Sequence, residues 1–149
     1  MEDFDSILQR SLATINVGYQ TAFDDVKSVV QKISSSIKRS AGENFDLEVQ
    51  EISDDVGGST LRVYLDTDSS EPRAEVMTIV HIRIPSNGYP IFQGGFSKSS
   101  NRFSGSHHDA AIADKNGVEE FFRQMLINPE SPLIQALGFA LRVKANKVR

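Results

Sequence analysis

Cysteine is absent from the 149-residue chain. That excludes disulfides, thiolate metal sites, thiol catalysis and covalent thioester carriers, and it fits a reducing compartment. No apolar run approaches the ~20 residues that a membrane span needs. The opening "MEDFDSILQR" is acidic and amphipathic, whereas a secretion leader is basic and then apolar, so a cytoplasmic protein is expected. There is no internal repeat, no P-loop spacing and no G-x-S-x-G elbow around any of the serines. A single domain spanning 1–149 suits this length, and 39% hydrophobic residues suffice for a core.

Charge is unevenly spread. Residues 1–75 carry 15 acidic and 7 basic side chains, and residues 76–149 carry 5 and 9. The end of the chain, "RVKANKVR", holds Arg142, Lys144, Lys147 and Arg149. Four cations without interleaved aromatics read as a helix C-terminus complementing its dipole and a solvated tail. A nucleic-acid partner is not expected, since its binders show a broader basic face.

The first 40 residues have helical periodicity. Phe4, Leu8, Leu12, Ile15, Tyr19, Ala22, Val26, Val29, Ile33 and Ile37 recur at steps of three and four, and the spacing between Ile15 and Ile33 is that of a heptad seam. An unbroken helix would be ~55 Å long, more than a compact domain of this size accommodates. Either it breaks near Gly18, where glycine costs ~1 kcal/mol against alanine, or part of it projects toward another chain. Gly42 is the expected stop.

Four strands follow. "FDLEV" alternates, with Ile52 out of phase and the strand expected to end or bulge near Gln50. "LRVYL" sets Leu61, Val63 and Leu65 inward. "EVMTIVHIRI" places Val76, Val80, Ile82 and Ile84 on one face, and Met77, Ile79, His81 and Arg83 on the other. "YPIFQGGF" is the fourth, and short connections make an antiparallel meander the natural topology. Asn116 and Glu119 read as a capping pair for a helix burying Val118, Phe121, Phe122 and Met125. Ser131 and Pro132 open a last helix that is apolar almost all round, hence central or shared with a partner. The expected fold is α+β: a four-stranded antiparallel β-meander with the N-terminal helix and two C-terminal helices mainly on one face.

"SKSSNRFSGSHHDAA", residues 97–111, is the one long polar stretch, either a solvated loop or a binding loop. "DAAIADK" within its continuation reads as one helical turn. Lys98 and Arg102 suit an anion, and His107, His108 and Asp109 carry further polar groups, with His81 and Arg83 on the nearby strand. Adjacent histidines point apart in extended structure, so no metal site and no cofactor are expected. The carboxylate pairs Asp24–Asp25 and Asp54–Asp55 read as a solvated helix face and a turn, and no catalytic residue stands out.

One resemblance comes from the order of elements and from Tyr89-Pro90. A helix, a four-stranded meander, a Tyr-Pro turn entering the last strand and closing helices resemble the ubiquitin-conjugating-like and RWD folds. The catalytic cysteine and the His-Pro-Asn segment are absent, so the resemblance implies a catalytically inert binding module. The expected function is a non-enzymatic interaction protein, self-associating as a homodimer through its helices, with a further protein partner open. The alternative is a protein for a small ligand or anion, whether binder or enzyme, using the 97–111 loop near His81 and Arg83.

Overall fold

In a computed structural model, residues 3–54, 57–67, 76–97, 102–104 and 111–147 are described. Helix α1 is Phe4–Ser40, and it does not break at Gly18. The Asp3 side chain caps it by accepting from the Ser6 N–H at 2.8 Å. Strands β1 (Asp46–Ser53), β2 (Ser59–Asp66), β3 (Val76–Ile84) and β4 (Ile91–Ser97) follow. Then come the short β5 (Arg102–Ser104) and β6 (Ala111–Ile112), α2 (Lys115–Ile127) and α3 (Pro132–Lys147). The sheet order is β1-β2-β3-β4-β5 with every pairing antiparallel, and β6 joins β4 through Ile91 and Phe92. The class is α+β, built on the expected meander.

Leu47 on β1, Leu61, Val63 and Leu65 on β2, and Ile82 and Ile84 on β3 turn one sheet face inward. Ala22, Val26, Val29, Val30, Ile33 and Ile37 of α1 are buried with them in one core. Val118, Phe122 and Met125 of α2, and Leu133, Ala136 and Ala140 of α3, complete that core. Each side chain of this size contributes ~1.5–3 kcal/mol on full burial.

Glycine at 18 serves close approach and not a hinge. A Cβ at Gly18 would collide with the Asn87 carbonyl oxygen in the β3–β4 turn. A Cβ at Gly88, where φ is +90°, would collide with the Gly18 carbonyl. The helix backbone therefore rests directly on the turn backbone.

Other expectations are corrected locally. β1 continues through Ile52 to Ser53 in unbroken register with β2. Glu51, exposed near the strand's end, takes the position opposite Leu61 and bonds to Tyr19 and Ser59, which leaves Ile52 on the other face. The irregularity lies between β2 and β3, where the register shifts at Val63/Tyr64. Met77 therefore pairs opposite Leu65, Thr78 pairs opposite Tyr64, and Ile79 is buried, so the simple alternation assigned to β3 fails there. The α2 cap is Asp114, which accepts from Gly117 N–H at 2.8 Å, and Asn116 is already inside the helix. Ala111–Ile112, expected in a helical turn, pairs with β4 instead. Ser131 does cap α3, accepting from Ile134 N–H at 3.3 Å.

Candidate functional site

The loop expected to bind ligand falls mostly outside the described residues, which include none of Lys98, His107, His108 and Asp109. Arg102 is described as backbone, paired with Ser97 at the start of β5. His81 and Arg83 lie on β3 with their side chains on the sheet face away from the core. His81 is opposite Arg62 and Gly94, and Arg83 is opposite Thr60 and Phe92. Arg83 Nε donates to Asp54 Oδ2 at 3.0 Å, and both side chains are largely buried. Its guanidinium is thus matched by a carboxylate within the chain, and Thr60 beside it is buried with its hydroxyl unpartnered. Arg62 on the same face donates to Thr78 and Gln50 and lies over the Tyr64 ring. Among the described residues no group of three or more histidines and acids is placed to hold a metal ion.

Two clefts flank the helical layer. An open groove of about 620 Å³ runs between α1 and the edge strand β1, from Lys27 to Lys38 on one wall and from Asp46 to Val49 on the other. Ser34 closes part of that edge: its Oγ accepts from the Leu47 N–H at 3.0 Å and donates to Asp46 at 2.7 Å. Burial alone would raise the Asp46 pKa, but the bond from Ser34 and the charge of Lys38 hold it below the usual carboxylate value. A second cleft of about 600 Å³, lined by Ile79, Ile112, Phe121, Met125 and Pro132 among others, opens between the sheet and the two C-terminal helices. Neither cleft gathers a set of groups that defines a chemistry.

Among the described residues, the first third of α1 carries the most exposed apolar surface. Phe4 is 89% exposed, Leu8 56% and Leu12 51%, while Ala22 and Val26, one and two turns beyond Gly18, are 0% exposed. Ile7, Ile15 and Val17 are exposed as well. Ile7 flanks the stripe outside the strict three–four series, and Val17 lies on the opposite side of the helix, so the exposed apolar surface is wider than the periodicity alone marks out. The stripe keeps one phase along the helix: residues 19–37 cover the sheet, and residues 4–15 run past its end with none of the described residues on the same face. The helix projects here because its contact with the sheet begins at Gly18, where the sheet itself ends at the β3–β4 turn.

The root of this arm is anchored by polar contacts. Tyr19 Oη lies 2.6 Å from both Glu51 Oε1 and Ser59 Oγ, and Ser59 donates to the same carboxylate oxygen at 3.1 Å. Burial and the bond to Glu51 push the Tyr19 hydroxyl up to about 12. Tyr89, just past the turn, donates to Asp25 Oδ2 at 2.8 Å, and burial with that bond raises its pKa too. Further apolar side chains are exposed at Leu126 and Ile127 of α2 and at Phe139 and Leu141 of α3.

Comparisons with protein-family models, with curated proteins and with solved structures find no match. Among the described residues no helix is long and apolar enough to cross a membrane.

Proposed function

We propose that this is a non-enzymatic, cytoplasmic protein-interaction module that self-associates through the projecting arm of α1. The observation that carries the reading is the stripe Phe4, Leu8, Leu12 and Ile15, exposed in the same phase as the helix face that is buried from Ala22 onward. A helix of some 14 residues standing alone is marginal in water, because helix formation is poorly nucleated and most helical stability comes from packing an amphipathic face. Covering that face with a second protein surface supplies the missing term. The apolar surface of Phe139 and Leu141 on α3 supports the same reading, since that helix too carries more apolar side chains than the core uses.

The test is the mass in solution of the full chain and of a Leu8→Glu/Leu12→Glu variant, by size exclusion with light scattering at tens of micromolar. Wild type is expected to run at about twice 16.5 kDa, and the variant at 16.5 kDa with the melting temperature of its folded body unchanged. Wild type at monomer mass throughout would refute self-association. A dimeric variant would move the interface away from the arm.

A further inference from the structure

Resting on the self-association just proposed, we infer that two copies pair by laying their α1 arms antiparallel, each arm ending against the sheet end of the other copy. The constraint is where the sheet lies relative to the stripe. Residues 22–37 of α1 bury the same helix face that residues 4–15 leave open. Packed helix axes lie 8–10 Å apart, and a sheet packs at roughly 10 Å from the layer that covers it. A helix covering the arm would therefore occupy the layer that β1, β2 and the β3–β4 turn occupy beyond Gly18. Among the described residues the arm and the sheet end form a notch, closed at one end by Asn87 and Gly88 and open at the other.

In a parallel pair with the stripes face to face, each helix would continue past Gly18 into the sheet of the other copy. In an antiparallel pair, each arm enters the notch N-terminus first and stops at its floor, while its own body lies beyond the far end of the other arm. The side chains match in that direction: Phe4 of one copy meets Ile15 of the other, and Leu8 meets Leu12. The helix dipoles oppose, and the acidic first turns with Asp3 and Asp5 lie at opposite ends. The area is adequate for a second copy. The exposed apolar surface of Phe4, Ile7, Leu8, Leu12 and Ile15 is on the order of 500 Å² per arm. Two arms with their polar flanks then approach the ~1,200 Å² at the lower end of stable interfaces.

The chain has no cysteine of its own, so single introduced cysteines report without background. Phe4→Cys and Ile15→Cys proteins, mixed in equal amounts in a glutathione redox buffer, should give mainly the mixed disulfide, and so should Leu8→Cys with Leu12→Cys. Because these changes touch the stripe itself, spin labels on its polar flank give an independent measurement. In the antiparallel pair two labels at Gln9→Cys lie side by side, and two at Asn16→Cys are separated along the axis by roughly 20 Å. Equal distances at both positions, or disulfides joining Phe4→Cys to itself, would establish a parallel pair and overturn the inference while leaving self-association intact. A dimer of full mass with neither cross-link nor close labels would overturn it in favour of another surface. A monomer would overturn the self-association on which it rests.

Discussion

All three tyrosines donate to carboxylates: Tyr19 to Glu51, Tyr64 to Glu48 and Tyr89 to Asp25. Two of these bonds tie α1 to the sheet and to the turn beyond it, and the third braces β1 against β2. The hydroxyls of Tyr19 and Tyr64 are each pushed up from 10.0 to about 12, Tyr19 first by burial and Tyr64 first by its bond to Glu48. A raised value means that folding favours the neutral phenol. The contribution is complete below pH 10, where the unfolded chain is also neutral, and is lost as pH rises through 12. Urea midpoints should therefore fall from pH 10 to pH 12, and fall less in a Tyr19→Phe/Tyr64→Phe variant; equal slopes would remove these bonds from the account. Gly18 makes a second test at this scale. Alanine in a helix interior ordinarily gains up to ~1 kcal/mol over glycine, and Gly138→Ala in α3, with only ordinary contact to Arg142, should show that gain. Gly18→Ala meets the Asn87 carbonyl instead, and overpacking of that kind costs ~1–3 kcal/mol. Opposite signs for the two substitutions, read from chemical denaturation, are the expected result; a stabilising Gly18→Ala would mean that the helix does not rest on the Asn87 carbonyl.

The elements differ in how far the sequence discloses them. The α1 stripe, the four meander strands and the Ser131–Pro132 start of α3 are legible because each rests on local periodicity or capping chemistry. Gly18 misleads because propensity counts only the cost of glycine within the helix, and the compensating approach of Asn87 comes from a turn some 70 residues away. Ile52 misleads because the alternation of β1 is kept by Glu51, an acid that stays exposed at the strand's end and bonds to Tyr19 and Ser59. The β2–β3 bulge at Val63/Tyr64 has no residue signature: no glycine marks it, and both faces of β3 are apolar enough to read as a continuous strand. Asp114 is hard to single out as the cap because Asn116 also fits the pattern, and only the Gly117 N–H geometry separates them.

For the whole molecule, the candidate binding surface was legible in kind but not in extent. The excess of helical apolar residues is a property of the sequence, but which of them stay uncovered depends on where the sheet ends, and no local pattern carries that. The polar 97–111 stretch stands out by its length, whereas its described part forms two short strands paired with β4, and Arg83 on the neighbouring β3 is held by Asp54. Whether a second copy completes the arm is read residue by residue from amide exchange. An uncovered 14-residue helix opens readily, and an arm covered by mass action is protected in proportion to protein concentration. Exchange at residues 4–17 should slow as the concentration rises from about 1 µM to several hundred micromolar, while exchange at residues 22–37 stays constant. Arm exchange independent of concentration would contradict the account.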